Sequence, residues 1–199
     1  MDQNKQEKHQ ARQQKLKETV DAKVASATTE QGIFLVLTGN GKGKTTAGFG
    51  TALRCVGHGQ KAAVVQYIKG QWPCGERNVL EKLGVEFHVM ATGFTWNTQD
   101  KEGDTQAAQL AWQHSKRMLQ DPSIDLVLLD EITYMLSYHY LDAQEVANAI
   151  ANRPPMQNVI VTGRACHRAL LDIADTISEV KPLKHAFDNG IVARIGFDY

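Results

Sequence analysis

Three cysteines, Cys55, Cys74 and Cys166, are all that this chain of 199 residues carries, and no two of them form a C-x-x-C pair. So small and scattered a set argues against a disulfide framework or a zinc site; the expected setting is a reducing cytoplasm. Charge of one sign is missing too. Lys plus Arg is 22 and Asp plus Glu is 22, for a formal net charge of zero. With no global field to gather polyanions, neither nucleic acid nor an anionic membrane is an expected partner, and any anion must be held locally. The longest apolar run is far short of a membrane span. The first residues lack the apolar core of a secretory signal, and Asp2, Glu7, Glu18 and Asp21 are acids that a transit peptide avoids. The length suits one domain with a real core and is too short for two large ones.

Residues 1–30 have no glycine, proline or aromatic residue. Leu16, Val20 and Val24 recur at spacing four, which draws one thin apolar stripe on a helix, too narrow for a core element. Two readings stand for this block: a frayed or disordered tail, or a helix that docks as a cap on a partner, subunit or ligand. The second domain is then 31–199. Within it, short β-type runs at 33–37, 62–68, 85–90, 126–129, 159–161 and 191–195 alternate with helical patterns around 45–56, 76–83, 104–119, 142–151 and 166–174. A further short strand is a candidate at 177–180. Several of the runs are nearly unbroken Val, Ile and Leu, as parallel strands buried on both faces require. The expected fold is α/β, a wound and mostly parallel sheet of the P-loop, RecA-like kind with flanking helices and an extra N-terminal helical segment.

In such a sheet the loops after the strands' carboxyl ends line the ligand crevice. The first of these loops is Thr38-Gly39-Asn40-Gly41-Lys42-Gly43-Lys44-Thr45-Thr46. An apolar strand, a glycine-rich turn and Lys-Thr opening a helix make a phosphate-binding loop: the glycines let backbone N–H groups curl around phosphate oxygens, and the helix N-terminus adds its positive dipole end. Lys44 would reach the outer phosphates of ATP and Thr45 would put its hydroxyl on Mg²⁺. The usual pattern begins with glycine where this chain has Thr38, so Gly39 and Gly41 must supply the flexibility. Asp130-Glu131 ends the run Leu126-Val127-Leu128-Leu129 and supplies the carboxylates of the Mg²⁺ half of the signature, with Glu131 either a metal ligand or an activator of water. Arg164, in a Gly-Arg turn, and Arg54, on the helix after the phosphate loop, are candidates for neutralising phosphate. His167 reads as a helix-start residue and His58 as a turn. Trp72, Phe94 and Trp96 fall in these same loops, where aromatic faces suit a large flat ligand beside the nucleotide.

These residues resemble the ATP:corrinoid adenosyltransferases of the bacterial cobalamin synthesis and salvage type. The similarity rests on the phosphate loop at 38–46, on Ala52-Leu53-Arg54 with Gly57-His58-Gly59, on Tyr67-Ile68-Lys69-Gly70, Gly93-Phe94-Thr95-Trp96, Leu128-Leu129-Asp130-Glu131 and Thr162-Gly163-Arg164. The resemblance implies transfer of the 5′-deoxyadenosyl group of ATP to the Co(I) centre of a corrinoid (cobalamin, cobinamide or cobyrinic acid a,c-diamide), with triphosphate leaving from a loop that binds it in reversed polarity. It implies that Lys44 and Arg164 serve the chemistry, that residues 39–46 with Arg54 and Arg164 hold ATP, and that Thr45 and Glu131 hold Mg²⁺. It further implies that Phe94 and Trp96 crowd the lower face of the corrin, that a reduced flavodoxin-type protein donates electrons, and that the chain is a homodimer. Two other readings remain open on sequence: a RecA-like ATPase or kinase, and a nucleotide-gated binding module.

Overall fold

A computed structural model of the chain describes residues 3–68, 73–90 and 101–198. It divides into two units, Met1–Gln31 and Gly32–Tyr199. The first is a single helix, α1 (Gln3–Ser26), made of strong helix formers and supported by contacts one turn apart, such as Gln14 Nε2 donating to Glu18 Oε1 at 2.9 Å. Leu16, Val20 and Val24 are exposed along it.

The second unit is built on β1 (Phe34–Thr38), β2 (Ala62–Gln66), β3 (Glu86–Val89), β4 (Leu126–Asp130), β5 (Asn158–Thr162) and β6 (Thr176–Glu179). They form one sheet in the order β3-β2-β4-β5-β1-β6, and every pairing is parallel. The helices are α2 (Lys44–Gly57), α3 (Gly75–Leu80), α4 (Lys101–Gln120), α5 (Ile132–Ser137), α6 (Ala143–Ala151) and α7 (Arg168–Leu171). Successive strand residues point to opposite faces, so Phe34 and Val36 join one core with Val65, Trp112, Leu129 and Ile150, while Leu37 joins a second with Phe49, Val64, Leu128 and Ile160. All five residues of β2 and of β4 are buried, which is what their apolar runs anticipate. Among the described residues no helix is long and apolar enough to cross a membrane.

One expected strand is absent. Residues 191–195 are irregular, with Ile191, Val192 and Ile195 exposed. The place beside β1 is taken by β6, the weaker candidate, whose four residues are all exposed. Backbone pairing rather than burial recruits it: Leu35 to Thr38 align with Thr176 to Glu179, and the Asp175 carboxylate accepts the Phe34 N–H at 2.7 Å. Because β1, β5 and β4 lie side by side, the loops that follow them open on one edge of the sheet.

Candidate active site

β1 ends at Thr38, and the chain turns through Gly39 (φ 100°) and Gly43 (φ 118°), both in the left-handed region, before α2 begins at Lys44. No side chain caps α2, which leaves its first N–H groups and its dipole for an anion. Lys44 is buried, and its Nζ donates to the Gly41 carbonyl at 2.8 Å. Burial holds this ammonium below the usual lysine range; Glu131 opposes the shift, Arg164 adds to it and Asp130 opposes it. Sequence reasoning left open what shapes a loop without the leading glycine. Here Thr38 is still a strand residue, and the chain leaving β6 crosses over the turn. Val180 N–H donates to the Thr38 carbonyl at 2.8 Å, and Gly41 N–H donates to the Val180 carbonyl at 2.7 Å. A Cβ on Gly39 would lie 2.5 Å from that carbonyl oxygen, and one on Gly41 2.8 Å from it. Gly39→Ala should therefore lose about 1–3 kcal/mol of stability, from the strained φ and the collision together. Chemical denaturation reads the loss, and a midpoint equal to the unmodified protein's would mean that the crossing chain moves aside freely.

The acids are held differently from one another. Asp130 is buried at the end of β4; its Oδ1 accepts from Thr162 Oγ1 at 2.7 Å and its Oδ2 from Gln66 Nε2 at 3.2 Å. Glu131 takes the left-handed conformation (φ 59°, ψ 22°) at the start of α5, and its N–H donates to Thr162 Oγ1 at 2.9 Å. Its carboxyl is pushed up to about 7, first by burial and then by Asp130, while Lys44 and Arg164 pull it back. Glu131 Oε2 is buried and has no hydrogen-bond partner. An orphaned carboxylate oxygen beside a phosphate loop fits a hard divalent cation, and the hydroxyl of Thr45 lines the same cavity. Among the described residues no group of three His, Cys, Asp or Glu is clustered to hold a metal, so further ligands would be phosphate oxygens and water, as is usual for Mg²⁺.

The cavity has a volume of about 330 Å³ and brings together Asn40, Gly41, Lys42, Gly43, Lys44, Thr45, Thr46, Glu131 and Arg164. Gly39 lies at the turn that begins this loop. Arg54 is not among the residues that line this cavity. It sits near the C-terminal end of α2, about 15 Å along the axis from Lys44, and is exposed. There it lines a separate cavity of about 240 Å³ with Leu35, Leu126 and Asn158, at the opposite edge of the sheet. Three turns of helix carry it away from the phosphates. Phe94 and Trp96 lie outside the described residues, as does Trp72. His167 does start a helix, its Nδ1 accepting the Ala169 N–H at 3.2 Å. Sequence reasoning missed Asp198 and His185, which line the phosphate cavity from the far end of the chain. Asp198 pairs with Lys42 at 2.6 Å, and the Phe197 ring lies 5.9 Å from the same ammonium. No local pattern marks them, because the approach is made by chain closure alone.

Comparison with known proteins agrees with this geometry. A family model described as "ATP:corrinoid adenosyltransferase BtuR/CobO/CobP" matches residues 30–199. A second, described as "Cob(I)alamin adenosyltransferase N terminal", matches residues 1–24. The chain is 63% identical over 193 residues to the corrinoid adenosyltransferase of Escherichia coli (strain K12), which covers 97% of this chain and 98% of that protein. It is 62% identical over 193 residues to the corrinoid adenosyltransferase CobA of Salmonella typhimurium, with the same coverage. To that of Pseudomonas aeruginosa it is 42% identical over 197 residues, covering 98% of this chain and 97% of the relative. A phosphate loop of unusual opening, an orphaned carboxylate facing it and near-complete alignment along the chain thus converge, and this chain belongs to the ATP:corrinoid adenosyltransferase family.

Proposed function

We propose that this protein transfers the 5′-deoxyadenosyl group of ATP to the Co(I) centre of a corrinoid and releases triphosphate. The observation that carries the reading is identity of 63% across nearly the whole of relatives named corrinoid adenosyltransferase, together with a phosphate cradle at the expected sheet edge. In the reaction the cobalt lone pair attacks C5′ of ATP, the C5′–O bond breaks, and its electrons leave with the triphosphate, so that Co(I) becomes an alkylated Co(III). Co(I) is itself a strong nucleophile and needs no general base. The protein's work is to align the attack and to neutralise the leaving triphosphate.

Lys44 and Arg164 serve that neutralisation, with Asn40 to Thr46 offering backbone N–H groups to the phosphates. Thr45 and Glu131 would hold Mg²⁺, which supplies further positive charge to the triphosphate. Phe94 and Trp96 are assigned to the lower face of the corrin, where they would exclude the nucleotide base and leave a four-coordinate Co(II) that is easier to reduce. A reduced flavodoxin-type protein is the proposed electron donor. A homodimer is supported by the exposed apolar side chains of Phe187, Val192, Ile195 and Phe197, a patch that favours cover by another protein surface. The test is mass spectrometry of the products formed from protein, MgATP and a chemically reduced corrinoid. One tripolyphosphate per adenosylated corrinoid is expected; ADP with phosphate would replace this reading by that of an ATPase or kinase.

A further inference from the structure

We propose that Thr162 is a positioning residue for the metal-binding carboxylate: its hydroxyl locks the left-handed turn at Glu131 and so aims that side chain into the phosphate cavity. The proposal rests on the reading of Glu131 as a Mg²⁺ ligand given above. Three strand ends meet here. Gln66 closes β2, Asp130 closes β4 and Thr162 closes β5, and all three are buried polar residues that follow at least three apolar strand residues. The hydrogen-bond directions are forced. Glu131 N–H has only a proton to give, so Thr162 Oγ1 accepts it at 2.9 Å and spends its own proton on Asp130 Oδ1 at 2.7 Å. One hydroxyl therefore binds the side chain of residue 130 and the backbone of residue 131 at once. Asp130 is anchored from its other side by Gln66 Nε2 at 3.2 Å.

That double grip falls where the chain needs holding. Left-handed backbone is disfavoured for a residue with a Cβ, and Glu131 adopts it at the step from β4 into α5. The Tyr134 N–H holds the Glu131 carbonyl at 3.3 Å, and Thr162 supplies the acceptor for the Glu131 N–H. The residue after Thr162 completes the arrangement. A Cβ on Gly163 would lie 3.1 Å from Glu131 Oε2 and 2.0 Å from Thr133 Oγ1, so only glycine leaves space for the carboxylate. Asp130 thus works through Thr162 on its neighbour, and Glu131 alone of the acid pair presents an unpartnered oxygen.

Thr162 also packs: its methyl carbon would lie 3.6 Å from a Cβ built on Gly48 of α2. The test must separate the hydroxyl from the methyl. Thr162→Val keeps the shape and removes the relay; Thr162→Ser keeps the relay and removes the methyl. Mn²⁺ binding to the protein–ATP complex, followed by electron paramagnetic resonance, should weaken roughly tenfold or more in Thr162→Val, as loss of a group that orients a metal ligand typically does. Thr162→Ser should stay near the unmodified protein, and ATP affinity measured without metal should be unchanged in both. Equal weakening in the serine and valine variants, or a parallel loss of metal-free ATP binding, would reduce Thr162 to packing and overturn the proposal. Should Thr162→Val fail to fold, Thr162→Cys, of similar size and with only a weak donor, takes its place in the comparison. Glu131→Gln is measured alongside. If it leaves Mn²⁺ binding intact, the assignment of Glu131 to the metal fails; if it weakens binding while Thr162→Val does not, the relay alone fails.

Discussion

Lys44→Ala is expected to lower turnover by on the order of a hundredfold or more, with the fold intact. The triphosphate leaves as a cluster of negative charge, and Lys44 is the buried cation at the base of the cavity that would hold it. In the ligand-free protein the same ammonium is a burden. Burial depresses its pKa, so folding disfavours the charged form at every pH below the ordinary lysine value, and truncation removes that cost along with the bond to Gly41. The melting temperature without nucleotide should therefore hold or rise slightly, whereas the rise that MgATP produces should disappear. Steady-state rates with chemically reduced corrinoid, paired with thermal melts with and without MgATP, make the measurement. Near-normal turnover at saturating MgATP would remove Lys44 from the phosphate cradle.

Glu131→Gln should raise the Mg²⁺ concentration for half-maximal rate by roughly tenfold or more, because a neutral amide replaces an anionic ligand of the same size. The raised carboxyl adds a pH signature. With its pKa at about 7 in the free protein, Glu131 must lose a proton to bind the cation, so apparent Mg²⁺ affinity should fall about tenfold per unit below pH 7 and level off above it. Stability carries the opposite sign. The folded carboxyl holds its proton up to about 7, whereas the unfolded one releases it near 4.5, so between those values the native state binds more protons and stability falls as pH rises. In Glu131→Gln both dependences should flatten. Metal titrations and melts on either side of pH 7 read them together, and an unchanged metal titration would shift the search to Asp130.

The phosphate loop and the sheet were legible for different reasons. The loop is a local signal, in which glycines, a lysine and a threonine do their work within nine residues of sequence. The central strands betray themselves because burial on both faces demands unbroken apolar runs, as in Leu126 to Leu129. The edges obey neither rule. Thr176–Glu179 is a strand with no buried residue, and Ile191, Val192 and Ile195 are apolar without being inside, so hydrophobicity pointed to the wrong segment. Arg54 is close to the phosphate loop in sequence, but the helix that carries it leads away from that loop. Asp198 and His185 reach the cavity only through tertiary closure. Thr162 and Gln66 did carry a sign: with Asp130, each ends a strand on a polar residue after at least three apolar ones, and the three meet at one sheet edge.

The crossing of Val180 over the phosphate loop also sets an order of events in synthesis. Residues 38–46 leave the ribosome early, yet the carbonyl and N–H that shape their turn belong to Val180, and the strand before it docks through Asp175 onto Phe34, 141 residues upstream. At ordinary elongation rates that separation is on the order of ten seconds. During that interval the nascent chain carries a nucleotide motif without its lid of backbone, and closing so long a loop is the slow, topologically costly kind of contact. Full-strength ATP binding is therefore expected only once Val180, in the last tenth of the chain, has arrived. A chain truncated before Val180 would display the motif in its sequence and lack the turn that makes it a site.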